Sequence, residues 1–278
     1  MEYDNSVYAD FHVHTRFSPC GHPEATIAAM VERAQAKGLA ALGFADHVTP
    51  HPIPGCGFYD GQQIGVLSEM RAVVGALPNT PSVGAALELL VGVEADYTLA
   101  GASCLDTAML ELADHVVCSA SHFHLPAAPV PQADTPLAKA ALMVRLAREM
   151  LGLDGVSIWA HPFDCSAMKP LAPIMAEIDE VTRVELISLA NAREVAIEIN
   201  GGSGKDPAYR TATAPFYALA REMGARFTVT ADAHHPDDFE RLDSAVRWAR
   251  ALGIPDEAFL TADELRSRYR RKRESSQS

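Results

Sequence analysis

The 278-residue sequence predicts one α/β fold, a (β/α) barrel, on three observations. Seven short apolar runs alternate with amphipathic stretches, no linker-like segment breaks the series, and His, Asp or Glu recurs at the ends of the runs. Serial β-then-α units imply parallel strands joined by right-handed crossovers, which place every strand C-terminus on one rim. An open doubly wound sheet is the competing architecture, but the sequence carries no Gly-rich phosphate loop to support it.

The strand runs are Tyr8 to His14, Ala40 to Asp46, Leu89 to Ala95, His115 to Ser121, Val156 to Ala160, Val195 to Asn200 and Phe227 to Ala231. They are near-continuously apolar, as parallel strands covered by helices are. Between the first two, Ile27, Met30, Val31 and Ala34 follow the i, i+3, i+4, i+7 spacing of a helix face, with Pro23-Glu24 as its start and Gly38 as its stop. Phe216, Leu219, Ala220 and Met223 repeat that spacing up to Gly224. Phe239, Leu242, Val246 and Ala249 repeat it between Pro236 and Gly253. Thr49 to Gly55 and Pro126 to Pro131 are too Pro-rich for helix or central strand, so they read as rim loops shaping a cleft. The basic run Arg266 to Arg273 reads as a solvated helix end or disordered segment, giving a barrel over 1–265 and a basic C-terminal tail over 266–278.

Hydrophobic content of 48% is ample for a sizeable core, and no apolar stretch approaches a membrane span. A formal charge of −13 argues against a nucleic-acid-binding surface, and bound divalent cations would offset part of it. The start, Met1-Glu2-Tyr3-Asp4-Asn5, has no basic or apolar leader, and Cys20, Cys56, Cys104, Cys118 and Cys165 are scattered without a CxxC pair. Both features predict a protein of the reducing cytoplasm.

The chemistry lies at the strand ends. The first run ends in His12 and His14, which alternate to the same side of a strand. The second ends in Asp46-His47, the third in Glu94, and the fourth leads to His122 and His124. The fifth ends in His161, the sixth carries Glu198 and Asn200, and the seventh leads to Asp232, His234 and His235. With His51, four residues past His47, nine of eleven histidines lie at or just past such ends. Structural histidines have no reason to prefer one rim, whereas metal ligands in a barrel must share it. Imidazoles with a shared carboxylate suit Zn, Mn or Fe, and the set exceeds the three protein ligands of one catalytic zinc. Two or three divalent ions are therefore expected.

Together, Asp10-Phe-His12-Val-His14-Thr, Gly21-His22, Ala45-Asp46-His47, Glu94-Ala-Asp, Ser121-His122, Ala160-His161-Pro and Thr230-Ala-Asp232-Ala-His234 resemble the PHP (polymerase and histidinol phosphatase) phosphoesterases, over residues 8 to about 240. The resemblance implies a distorted (β/α)7, TIM-like barrel with a di- or trinuclear centre. It implies that one metal takes His12, His14, Glu94 and Asp232, and that a second shares Glu94 and adds His122 and His161. The third would take His22, His47 and His234. All nine ligand positions are filled, which implies a catalytically competent centre in which Glu94, Asp232 and His234 serve the chemical step. By its loop alone, Ser18-Pro-Cys-Gly-His22-Pro, His22 reads as an ordinary loop histidine; the resemblance makes it a ligand.

Asp46 is expected to orient its neighbours or cap a helix, Glu198 to hold a buried hydrogen-bonded role, and His115, at a strand start, to be structural. Arg16, Lys205, Arg210 and Lys169 are the candidate phosphate contacts, and His124, His235 and His51 are further candidates for substrate contact or general acid. The expected activity is hydrolysis of a small metabolite's phosphomonoester, histidinol-phosphatase-like, by metal-activated hydroxide attacking phosphorus. A nucleotide phosphatase, a cyclic phosphate hydrolase or a phosphodiesterase on the same centre is the alternative. A non-catalytic metal-binding module is a third, which the complete ligand set opposes.

Overall fold

Seven parallel strands follow one another around the molecule in chain order. They are β1 (Ala9–Val13), β2 (Ala41–His47), β3 (Glu88–Asp96), β4 (Val116–Ser119), β5 (Ile158–Trp159), β6 (Ala196–Asn200) and β7 (Phe227–Thr230). The computed structural model describes residues 8–77, 87–164 and 167–276, so residues 1–5 and Cys165 lie outside the described residues. Each strand pairs in parallel with the next. Val13 meets Ala233, just past β7, in a parallel bridge, and the His14 N–H donates to the Ala233 carbonyl at 2.9 Å. The sheet is thus a nearly closed (β/α)7 barrel, as the seven β-then-α units predict.

Period-two alternation sorts the side chains. In β3, Val91, Val93 and Ala95 join the outer core under the helices, while Leu90 joins the separate inner cluster on the other face. Gly92, Glu94 and Asp96 share the face of Leu90. The inner cluster includes Ala9, Leu90, Val117, Ile158 and Ala196, closed from below by Leu260 and Leu265. Above it the His115 ring fills space left by two glycines. A Cβ on Gly92 would lie 2.4 Å from His115 Cε1, and one on Gly43 would lie 2.8 Å from it. The His115 Nε2–H donates to the Phe11 carbonyl at 2.8 Å, and burial lowers its pKa to about 4, so it stays neutral. His115 is therefore a core residue, on the structural side as expected.

The helices are α1 (Ile27–Ala36), α2 (Ile64–Gly75), α3 (Tyr97–Ala100), α4 (Thr107–Leu112), α5 (Pro136–Leu151), α6 (Leu171–Ala176), α7 (Glu180–Ala192), α8 (Pro207–Glu222), α9 (Glu240–Ala251) and α10 (Ala262–Ser276). α1 begins later than Pro23-Glu24 because the Thr26 hydroxyl accepts the Ala29 N–H and caps it there. Pro236–Phe239 forms a 3-10 turn that leads into α9. Gly38, Gly224 and Gly253 stop their helices at φ of 71°, 69° and 70°, a region open to residues without Cβ.

The boundary expected at 265/266 falls inside α10. Tyr269 is buried and donates to the Leu110 carbonyl at 2.9 Å, Arg266 pairs with Glu88, and Lys272 Nζ donates to the carbonyls of Val156 and Glu194. The basic run hides an apolar pair, Leu265 and Tyr269, spaced i, i+4 and turned onto the lower end of the barrel.

Candidate metal centre

At the upper rim five imidazoles converge on one carboxylate. Nε2 of His12, His14 and His47 lies 3.3, 3.4 and 3.3 Å from Glu94 Oε2. Nε2 of His122 and His161 lies 3.4 and 3.2 Å from Glu94 Oε1. The Glu94 carboxylate therefore stands between two ligand groups, one on each oxygen. Asp232 joins the first, its Oδ1 at 3.2 Å from His14 Nε2. The strands explain this convergence: Glu94 is the third-last residue of β3, and each histidine is at or just past the C-terminal end of β1, β2, β4 or β5. His161 and Asp232 adopt φ of 27° and 50°, a strained choice for residues with Cβ that aims both side chains inward.

Each converging ring is held from behind. His12 Nδ1 lies 2.7 Å from Glu198 Oε1, His122 Nδ1 is 3.0 Å from Asp96 Oδ2, and His161 Nδ1 is 2.9 Å from Ser121 Oγ. His14 Nδ1 meets Ser18 Oγ at 3.2 Å and His47 Nδ1 meets the Tyr59 hydroxyl at 3.3 Å. A donor role for Nδ1 leaves the lone pair of each Nε2 facing Glu94, the arrangement of imidazoles that ligate a cation.

The electrostatics agree. Burial works to raise the Glu94 carboxyl, but His47, His12 and His122 outweigh it and hold it well below the usual carboxylate range. Burial works to lower His12, but Glu198, Asp232 and Glu94 outweigh it and raise its pKa well above the ordinary value. His161 rises likewise to about 9, burial being outweighed by Glu94. Without a metal, protons must sit among these groups. Moreover, His12 and His14 bring their Nε2 atoms within 3.2 Å of each other, and Asp232 Oδ1 is buried with no hydrogen-bond partner. A donor set of imidazole nitrogens and carboxylate oxygens, with an orphaned oxygen among them, fits divalent cations. Groups close enough to share an ion include His12, His14 and Asp232, and Glu94, His122 and His161.

The third expected group does not assemble in full. His47 and His234 line the rim cavity, but His22 is exposed, accepts the Glu24 N–H at Nδ1 and stands edge-on to His235 at 4.6 Å. Its nearest ligand-type neighbours are Glu24 and His235. His234 donates from Nδ1 to the Asp232 carbonyl at 2.9 Å, which leaves its Nε2 free. Asp46, as expected, orients rather than ligates: Oδ1 accepts the Thr15 and Ser18 N–H groups, and Oδ2 the Thr15 hydroxyl.

The cavity above these residues holds about 240 Å³ and includes His124, Phe58, Leu125 and Asp164 in its wall. Arg16 and Lys205 are exposed and Arg210 half-buried, and among the described residues none of the three lines the cavity. Lys169 is exposed and 3.9 Å from Asp206; His51 is exposed, and His235 caps the turn at Pro236. Sequence reading left Asp96, Tyr59, Ser121, Cys20 and Asp164 without a role. Asp96 was findable, two residues past Glu94 on the same strand face; Tyr59, from an irregular loop, had no such signal.

A profile of the PHP domain family matches residues 10–200. The chain is 28% identical to a probable phosphatase of Aliivibrio fischeri (strain MJ11), over 94% of this chain and 92% of that one. It is 27% identical, over the same shares, to a probable phosphatase from a second strain of that species. Its fold resembles the histidinol phosphate phosphatase of Lactococcus lactis subsp. lactis Il1403, solved with zinc, L-histidinol and phosphate, at a TM-score of 0.57 and 15% identity, over 89% of this chain and 94% of that one. It also resembles a candidate histidinol phosphatase of Listeria monocytogenes, at a TM-score of 0.63 and 13% identity, over 84% and 97%.

Proposed function

The chain belongs to the PHP domain family, and on that premise we propose that it hydrolyses the phosphomonoester of a small metabolite with divalent metal ions bound at the barrel rim. A phosphatase activity is what its relatives carry in name. The observation that carries the reading is the convergence of five Nε2 atoms within 3.2–3.4 Å of the Glu94 carboxylate.

His12, His14 and Asp232 would hold one ion and His122 and His161 another, with Glu94 between them. Divalent ions bound there would polarise the phosphoryl oxygens and activate the attacking water. The chain's own residues do the rest. Glu198, Asp96 and Ser121 fix the orientation of His12, His122 and His161. Despite burial, Glu94 and Asp232 are held well below the usual carboxylate range by the surrounding histidines, and their charge would help hold the ions against the substrate's own negative charge. His124 lies in the cavity wall, beside the converging ligands, with its ring 5.6 Å from that of His122. We assign it the protonation of the leaving oxygen.

The shape of the cavity supports a small substrate. Asp164, its carboxylate hydrogen-bonded by the Ser203 hydroxyl, stands in the wall near Phe58 and Leu125. An acidic group there, with no lysine or arginine among the described wall residues, favours an organic part that is compact and cationic over a nucleic-acid strand.

Metal analysis of protein purified without chelator, then a phosphate-release screen, tests this. The expected result is bound metal and release from amino-alcohol monophosphates ahead of neutral sugar phosphates and diesters, lost with chelator and restored by zinc or manganese. Absence of metal together with absence of phosphate release would overturn it.

A further inference from the structure

We propose, resting on the metal-dependent reading above, that Cys20 and not His22 completes a third metal position with His47 and His234, and that its thiolate makes this position one for zinc. The loop from β1 to α1 is folded so that it turns residue 20 inward and residue 22 outward. Asp46 gathers its start, with Oδ1 accepting from Thr15 N at 2.6 Å and Ser18 N at 3.1 Å, and Ser18 N–H donates to the Thr15 carbonyl at 3.0 Å. The Gly21 N–H then closes on the Ser18 carbonyl at 3.0 Å, pressing Gly21 so hard onto Thr15 that a Cβ there would lie 1.8 Å from the Thr15 oxygen. The His22 N–H is tied to the His234 carbonyl at 2.8 Å, so the loop is docked on the end of β7 by its backbone while the His22 ring faces Glu24 and His235.

Cys20, one residue before the pinch, lines the cavity instead. Its Sγ is 4.0 Å from His14 Nδ1, and the ligand atoms of His14, Cys20 and His234 all lie within 4.8 Å of one another. His47 and His234 line the same cavity wall as Cys20. The position adjoins the carboxylate assigned to the first ion: Asp232 Oδ1, buried without a hydrogen-bond partner, lies 3.2 Å from His14 Nε2 and 3.7 Å from His234 Nδ1. The two other clusters offer only nitrogen and oxygen. A soft thiolate with two imidazoles makes this position chemically different, suited to zinc over manganese.

Cobalt(II) loaded into the full chain in place of zinc reads the thiolate directly, through a thiolate-to-cobalt charge-transfer band in the near ultraviolet beside the visible d–d bands. The parent is expected to show both. Cys20→Ser should lose the charge-transfer band, keep d–d absorption and bind one zinc fewer. Cys20→His should lose the band and recover the zinc, and His22→Ala should retain band and zinc alike. A band that survives in Cys20→Ser, a parent with d–d bands but no charge transfer, or a zinc lost from His22→Ala overturns the proposal while leaving the other two positions standing. A chain that binds no cobalt at all overturns the metal-dependent reading and this proposal with it. Should Cys20→Ser fail to fold, as judged by circular dichroism, Cys20→His and His22→Ala still decide.

Discussion

Replacing Glu198 by Gln removes a charge and almost no volume at a position that touches no expected metal. Glu198 is fully buried on β6. Its carboxylate takes four donors: His12 Nδ1 at 2.7 Å, the Thr230 hydroxyl at 2.7 Å, Asn200 Nδ2 at 3.3 Å and the His161 N–H. Each oxygen takes two of those donors, so a glutamine must turn its NH₂ toward two of them, leaving at least one buried group unmet at a cost of about 1–3 kcal/mol. The effect on metal is separate. Loss of the carboxylate behind a ligating imidazole weakens binding about 10–100-fold, or about 1.4–2.8 kcal/mol. Because the two costs are similar in size, they need separate readouts. Urea unfolding of the chelated protein measures the first, and competition for zinc against a chromogenic chelator measures the second. The expected outcome is a loss in both, with the tightest ion weakened most. A variant that unfolds more easily when metal-free but holds zinc within about twofold of the parent, far short of the expected loss, would reduce Glu198 to a structural residue and refute the reasoning.

Three further outcomes follow from the structure. Zinc binding should release protons, since metal-free His161, at about 9, is protonated at pH 7 and ligates only when neutral. Apparent zinc affinity should therefore climb between pH 6 and 8 by about tenfold per unit for each proton released, and calorimetry in buffers of different ionisation enthalpy that shows no proton release would contradict this. Gly92→Ala puts a Cβ 2.4 Å from His115 Cε1 and 2.6 Å from the His115 carbonyl oxygen. Overpacking of that kind costs about 1–3 kcal/mol; an unchanged denaturation midpoint would show that the His115 ring has room to move. Lys272 is lowered from 10.5 to about 7, chiefly by burial. Between those values the unfolded chain holds a proton that the folded chain lacks, so stability should rise with pH from about 7 upward. Lys272→Met should flatten that rise relative to the parent, and parallel pH profiles of the two would count against a buried, neutral amine.

Much of the rim could be read without coordinates. His12 with His14, and Glu94 with Asp96, are two residues apart, and a strand places such pairs on one side whatever surrounds it. The serial β-then-α pattern then put all strand ends at one face. The same local logic read His115 as structural and Asp46 as a residue that orients its neighbours, and the His115 bond to the Phe11 carbonyl and the Asp46 bonds to the Thr15 backbone agree. Where local logic had nothing to act on, the reading was thinner. Arg16, Lys205 and Arg210 follow strand ends in sequence, yet their loops leave them outside the cavity wall. The basic segment after 265 was read by charge, and the spacing of Leu265 and Tyr269 beneath it passed unused.

By itself the sequence determined the barrel and the inward-facing strand-end ligands, because both follow from repeats of two and about 3.6 residues that each segment carries within itself. Only the tertiary structure decided which side chain of the Ser18–His22 turn meets the rim, and which distant groups brace the ligands. The turn's direction depends on Asp46 and the His234 carbonyl, and Glu198 reaches His12 across 186 positions of chain. Such contacts are set by barrel closure, which leaves no mark in the spacing of neighbouring residues.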